Sequence, residues 1–569
     1  MSIQYQLMNA SIKKYLPFIF VITAISFISI LLSAFNKDPN IEIAQRQFTI
    51  PVLKQKKDNP VLLIKISLPA GSSQNLESMS FSTDGTSNRA DIKNIRLFYS
   101  GNDSVSGSTG RFEKAVLFGE SDHPGKTFSI KGKQLLEEGT HYFWLSFEIS
   151  ENAGLLNRIS TECIKLAISA KQVNPSVLKE KKPLRIGIAV RKHLQDSVDT
   201  YRIPGLTTTN KGTLLAVYDA RRESSRDLQG DIDIGLSRST DGGNTWEPMR
   251  IAIDMGKWGG LPQKFNGVSD ACILVDKKSG TIFLAGLWMY GVINDQGKWI
   301  EELNETSKDW NHQWRNKGSQ PGFDPKQTAQ FLIVKSTDDG KTWSEPINLT
   351  RMCKKEDWWL WAPAPGHGIT LEDGTLVFPT QGRDNNGEPF SNITYSRDGG
   401  KTWTTSNKAA REPTTENMAV QLPDGSIMLN MRANSNRTDS INNGRAVAIT
   451  KDLGNTWTEH ASSKKLLQES TCMASIHRHT WKENNKERSV LLFSNPNTKK
   501  GRHHITIKSS IDDGNTWPEK NFILLDELNG RGYSCITSVN DKTVGILYES
   551  SQADMVFQLI SVSELPGPE

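Results

Sequence analysis

The stretch STDGGNTW, Ser239–Trp246, is written four more times in the chain: STDDGKTW from Ser336, SRDGGKTW from Ser396, TKDLGNTW from Thr450 and SIDDGNTW from Ser510. Glycine at the fifth position of each copy permits a positive φ, and the Ser and Asp side chains offer oxygens to nearby backbone N–H groups. The closing tryptophan supplies a large apolar face. Each copy therefore reads as the closure of one hairpin, repeated for structure and not for chemistry. None has the spaced acidic ligands and terminal Glu of a calcium-binding EF-hand loop.

Working outward, the copies start 97, 60, 54 and 60 residues apart. Short apolar runs such as TLLAVYDA, TIFLAGLW, TLVFPTQG and SIMLNMR precede them. A period near sixty fits one four-stranded unit per repeat, and the roughly 385 residues from 185 onward then hold six units, the range of a β-propeller. The longest gap carries extra material, GVINDQGKWIEELNETSKDWNHQWRNKGSQPGFDPKQ, expected on a loop as a lid or substrate platform. Before the repeats, residues 40–180 hold VLLIKISL, NIRLFYS, KAVLFGES, HYFWLSFEIS and CIKLAISA, separated by Gly, Ser, Asn and Asp clusters and without helical period. They predict a β-sandwich, joined to the repeats by a polar linker over Lys171–Pro183. The expected fold is all-β: a six-bladed propeller over 185–569 preceded by an N-terminal β-sandwich.

Composition bounds the partners. A net charge of +5 on 569 residues does not suggest nucleic acid, while leaving room for a basic cleft that takes an anion. The five cysteines, Cys163, Cys272, Cys353, Cys472 and Cys535, have neither paired nor metal-binding spacing and read as buried free thiols. At the N-terminus, Lys13 and Lys14 precede an uncharged run, Leu16–Phe35, so residues 1–35 read as a signal peptide cleaved after Leu32-Ser33-Ala34 or, if uncleaved, a membrane anchor. The protein is accordingly expected to be exported, to the periplasm, cell surface or medium, and to act as a monomer.

Five such boxes behind a YRIP motif, Tyr201–Pro204, resemble the bacterial exo-sialidases of glycoside hydrolase family 33, over about residues 185–565. The resemblance implies that the boxes lie on the propeller rim, away from the active site. It also implies a retaining exo-α-sialidase acting on sialylated glycans without cofactor or metal, with a trans-sialidase or a non-catalytic sialic-acid-binding lectin as alternatives. Exposed aromatics in the sandwich would suit sugar binding, although HYFWLSF alternates like a core strand.

Sialic acid carries a carboxylate on its anomeric carbon. Arginine suits it, because a planar guanidinium matches a carboxylate bidentately and keeps its charge. By motif the family's three arginines fall on Arg202 in YRIP, Arg432 in IMLNMR and Arg502 in KKGRHHITIK. An anionic nucleophile beside that carboxylate would meet about 4 kcal/mol of repulsion at 4 Å and an effective dielectric near 20. That is about a thousandfold in rate. A neutral phenol avoids it, and sialidases are the tyrosine exception among glycosidases. The family's tyrosine maps to Tyr533 in RGYSC, and its base to Glu416, sixteen residues before Arg432, with Glu412 nearby as a solvated bystander. The loop DARRESSRDLQGDIDIG offers Asp219, Asp227, Asp231 and Asp233. The family match selects Asp227 as acid/base, a role that needs a raised pKa, supplied by desolvation when substrate closes the site. Arg221, with Arg222 as competitor, and Asp270 match sugar-contacting residues, and Gln381 is a further candidate for the glycerol chain.

Overall fold

The computed structural model describes residues 41–566 apart from 123, 179, 229, 259–262 and 292–318. The apolar run Leu16–Phe35 and most of the long insertion lie outside the described residues. Everything else is strand, turn and short 3-10 segments, with one four-residue helix, Thr350–Cys353, among the described residues.

The first part is two sheets packed face to face. Strands Asn59–Leu68, Ile92–Tyr99 and Gly139–Ile149 form the heart of one sheet; Gln74–Ser82, Thr127–Leu136 and Glu162–Ile168 form the other. Ile64, Ile66, Leu97, Phe143 and Phe147 meet Leu76, Met79, Phe81 and Ile130 between them, all fully buried. Phe143 and Phe147 of HYFWLSF are thereby spent on the core, while Trp144 is buried on the opposite face of the strand against Phe48 and Tyr142 is half-buried. The expected linker is shorter than its composition implied. Lys171–Val173 turn back as a strand against Leu166–Ile168 because their backbone groups find an open sheet edge. Residues 174–183, of which all but 179 are described, form no strand or helix and lead into Leu184–Arg191.

From Thr200 onward the chain forms antiparallel four-stranded units, six in number and arranged in a ring. Their innermost strands include Thr200–Thr208, Asn266–Val275, Thr414–Gln421, Ser475–Glu483 and Ser534–Asn540. In the third unit the innermost position is broken into Leu360–Pro363, Gly366–His367 and Ile369–Thr370. Neighbouring inner strands touch in succession, and Ser534–Asn540 returns to Thr200–Thr208. This is a six-bladed propeller. The outer strand of blade six is Leu184–Arg191, paired antiparallel with Met555–Ser561, so the chain closes the ring with its own beginning. That closure explains why six blades carry five boxes. Each box joins the third and fourth strands of its blade, and in blade six these strands are not consecutive in sequence.

The box geometry follows its sequence. In the first copy Gly242 and Gly243 both have positive φ, +69° and +92°. Ser239 Oγ accepts from Gly243 N–H at 2.9 Å, and Asp241 accepts from both Thr245 N–H and Thr245 Oγ1. A Cβ on Gly243 would lie 2.1 Å from the Phe557 ring of blade six, so only glycine fits that approach. Gly340, Gly400 and Gly454 approach Leu215, Phe283 and Ser406 of the preceding blades likewise, while Gly514 has ordinary contact room beside Leu491 and Met428. Trp403, 4% exposed, wedges against Phe283 of blade two and Phe378 of its own blade, a burial whose loss costs about 3–5 kcal/mol.

The two parts are one continuous structure. Val52–Lys54 pairs in parallel with Ile186–Ile188, so a sheet of the sandwich runs into blade six. Glu564 near the C-terminus accepts from Arg158 of the sandwich and Arg185 of the closing strand. All five cysteines are buried and free.

Candidate active site

The N-terminal ends of the inner strands converge on a cleft of about 400 Å³ lined by Arg202, Arg221, Asp227, Asp270, Gln381, Glu416, Arg432, Arg502 and Tyr533. All eight residues expected from the sequence are there, together with Gln381. The boxes lie elsewhere, on the strand three to strand four turns. A larger cavity of about 980 Å³ opens at the opposite ends of the same inner strands, around His367, His477 and Ser538, and holds none of the expected residues.

Three inner strands aim their residues by the same device. Each pairs regularly with its neighbour except at one irregularity: Arg202–Gly205, Ser269–Cys272 and Thr414–Asn417. A bulge turns a side chain out of the regular alternation. Arg202, Asp270 and Glu416 occupy these bulges, and Ile203 and Asp270 take φ of +61° and +58° to make them. A β-branched residue in the left-handed region is strained, and such strain persists where surrounding structure enforces it. For Ile203 the enforcing contact is Glu549, whose Oε1 accepts its N–H at 3.0 Å.

Tyr533 stands at the centre. Its ring is 5% exposed, its hydroxyl donates to Glu416 Oε1, and Arg432 Nη1 lies 3.4 Å from the same oxygen. The guanidiniums of Arg202 and Arg502 sit 5.4 and 5.3 Å from its ring centroid. Burial and then the Glu416 carboxylate push the phenol well above its usual range, against the pull of Arg432 and Arg502. Glu416 is shared, since Arg432 Nη1 donates to its other oxygen. Burial opposes the charge of Arg432, but Glu416 and Tyr533 outweigh it, so this guanidinium stays charged. Arg502 donates to the Arg531 carbonyl at 2.8 Å.

On the far wall Arg221, 1% exposed, bridges two carboxylates: Nη2 donates to Asp219 Oδ2 at 2.9 Å and to Asp227 Oδ1 at 2.8 Å. The Asp227 side chain is 60% exposed, on the loop after strand Leu214–Arg221. Strand alternation separates Arg221 from Arg222, which turns away to pair with Asp233 at 2.6 Å. Asp219 is wholly buried and pushed up to about 6 by that burial, with Arg221 and Ser269 opposing. Asp270 is raised well above the usual carboxylate range, by burial and then by Asp227 and Glu416, and Gln381 Nε2 approaches it at 3.4 Å. Glu412 is outside the cleft, with Ser435 and Lys464.

Ser225, Arg383, Thr415, Asn434 and Arg437 also line the cleft and are absent from the sequence reading, as is Glu549, which lies behind it. Glu549, 1% exposed, accepts from Arg202 Nε at 2.6 Å, from Ile203 N–H and, through Oε2, from Tyr533 N–H at 2.9 Å. Burial alone would raise its pKa, but Arg202 and the two N–H groups hold it below the usual range. A Glu closing the apolar run TVGILYE was the available signal.

Comparison with known proteins places the chain in a family. Residues 203–524 match the BNR repeat-like domain, and residues 40–172 match the N-terminal domain of BNR-repeat neuraminidase. A sialidase of Bacteroides fragilis (strain YCH46) is 41% identical over 541 residues, spanning 91% of this chain and 94% of that one. A sialidase of Paraclostridium sordellii is 31% identical over 373 residues, 62% of this chain and 81% of that one. Among solved structures, Hadza microbial sialidase Hz136 superposes with a TM-score of 0.82 at 38% identity, over 92% of this chain and 100% of that one. The chain belongs to the sialidase family, the BNR-repeat neuraminidases, and is a glycoside hydrolase.

Proposed function

We propose that the enzyme is a retaining exo-α-sialidase that releases terminal sialic acid from glycoproteins, glycolipids or oligosaccharides through a covalent sialyl-tyrosine. The observation that carries this reading is the Tyr533 phenol hydrogen-bonded to Glu416 in the midst of three arginines. Arg202, Arg432 and Arg502 hold the substrate carboxylate, which sets the anomeric carbon before Tyr533. The raised phenol is neutral at neutral pH, so it approaches that carboxylate without repulsion and passes its proton to Glu416 as it attacks. Asp227 protonates the departing aglycone oxygen, then takes a proton from the water that opens the sialyl-tyrosine. Two displacements at one carbon retain its configuration. Arg221 holds Asp227 in place, and Asp270 with Gln381 meets the sugar ring substituents. The Lys13-Lys14 pair and the apolar run after it support export.

Leaving-group dependence tests the assignment of the acid. In Asp227→Ala, cleavage of a sialoside with a good phenol leaving group is expected to fall far less than cleavage of sialyl-lactose, since a good leaving group needs little protonation. Equal losses on both would assign the acid role to another group.

A further inference from the structure

Two loops, one entering blade six from the outer strand of blade five and one within blade six, carry the centre of the cleft, and both are gripped from outside by the sandwich. The first leads from strand Ile523–Asp526 to Tyr533. At its start Glu527 N–H donates to the Thr49 carbonyl at 2.8 Å, and Glu527 Oε2 accepts from Thr49 N–H at 3.0 Å. Arg46 Nη2 reaches the other oxygen at 3.2 Å. The second loop, Glu549 to Asp554, leaves strand Thr543–Tyr548. Its Gln552 accepts from Lys56 Nζ at 2.8 Å and donates to the Ser108 carbonyl at 3.0 Å. Lys56 is itself held by the Thr109 carbonyl at 2.8 Å.

The loops are also joined to each other, directly behind the site. Asp526, wholly buried, accepts from Ser550 Oγ, Ser551 N–H and Ser551 Oγ at 2.6, 2.8 and 2.8 Å. Glu549 N–H donates to the Tyr533 carbonyl at 3.0 Å, while the Glu549 carboxylate accepts from Tyr533 N–H and Arg202. Asp554 at the end of the second loop accepts from Tyr201 N–H at 3.0 Å, one residue before Arg202. A displacement of Gln552 or Glu527 is thus transmitted through few, directional bonds to the backbone of Tyr533 and to the guanidinium of Arg202. The parallel pairing of Val52–Lys54 with Ile186–Ile188 keeps the sandwich from swinging as a separate module.

We infer that the N-terminal sandwich is a positioning element of the catalytic centre, acting through the Lys56–Gln552 and Thr49–Glu527 contacts on the loops that bear Tyr533 and Glu549. The inference rests on the reading of Tyr533 and Arg202 as reacting and binding groups. Lys56 and Gln552 are positioning residues and touch no substrate.

The full-length chain carrying Lys56→Met keeps the aliphatic stem and loses the donors. Competent sites are counted by calorimetric titration with 2-deoxy-2,3-dehydro-N-acetylneuraminic acid, a carboxylate analogue whose binding needs the arginines but no covalent step. The expected result is a fall in kcat per competent site of about 5- to 30-fold, since small misplacements of reacting groups are costly. Stoichiometry and melting temperature should stay near wild type, and Lys56→Arg should recover most of the rate. A purely structural contact would lower the number of sites and leave kcat per site unchanged, and that result overturns the inference. If Lys56→Met does not fold, Gln552→Met probes the same contact from the propeller side with the same two outcomes. Failure of the underlying reading shows separately, as wild-type enzyme that is not labelled on Tyr533 by a covalent trap.

Discussion

Glu416 of blade four and Tyr533 of blade six, 117 residues apart, share a hydrogen bond between phenol and carboxylate, and the second oxygen of that carboxylate accepts from Arg432. In the proposed mechanism this one carboxylate receives the proton of Tyr533 and orients part of the clamp. In Glu416→Gln the amide can still meet the phenol but is a far weaker base. The expected loss in kcat is about 10²- to 10⁴-fold, the usual worth of a general base. Steady-state kinetics on an aryl sialoside checks it, and a loss below about threefold would remove Glu416 from the proton path.

The clamp predicts a different signature. Arg432→Lys and Arg502→Lys keep positive charge but lose the planar fork, which should cost about 2–4 kcal/mol in kcat/KM. Arg432 is the more sensitive of the two, because its replacement also leaves the Glu416 carboxylate short of a buried partner. Near wild-type kcat/KM for both variants on a fluorogenic sialoside would contradict the three-arginine assignment.

Glu564 offers a test of how the sandwich is fastened. Burial works against its ionisation, but Arg185 and Arg158 outweigh that and hold it at about 2, below an ordinary value of 4.5. A depressed carboxylate adds stability that is fully present above its unfolded pKa and lost as pH falls through the folded one. Glu564→Gln should therefore cost about 1–2 kcal/mol at pH 7, discounted for partial solvent exposure. The gap to wild type should narrow as pH drops from 4.5 toward 2. Urea unfolding at pH 7 and pH 3.5 checks it, and an equal gap at both would contradict the ion-pair account.

What could be read from the sequence divides by range. The boxes were legible because their hydrogen bonding is local: Ser239, Asp241, Gly243 and Thr245 bond to one another within the eight residues. Tyr533, Glu416, Asp227 and the arginines, which line one cleft, could be picked out because each sits in a short motif that resembles the family's. Arg221 and Arg222 stayed ambiguous until strand alternation turned one inward and the other toward Asp233. Glu549 escaped because its meaning exists only after ring closure, when it meets Arg202 across 347 residues of chain. The closing strand Leu184–Arg191 escaped for the same reason. Its apolar run was visible, but its partner Met555–Ser561 lies at the other end of the protein.

The central claim is that Tyr533 is the nucleophile, and a covalent trap tests it most directly. A sialic acid fluorinated at carbon 3, with fluoride as the leaving group, slows both steps through its oxocarbenium-like transition states, while the good leaving group keeps formation ahead of breakdown. Intact-protein mass spectrometry should show the gain of one sugar, and peptide mapping should place it on Tyr533 within RGYSC. Tyr533→Phe, which keeps the ring between Arg202 and Arg502 but lacks the oxygen, should fold, bind the carboxylate analogue and take no label. A label on Glu416 or Asp227 instead, or a label that persists in Tyr533→Phe, would contradict the account.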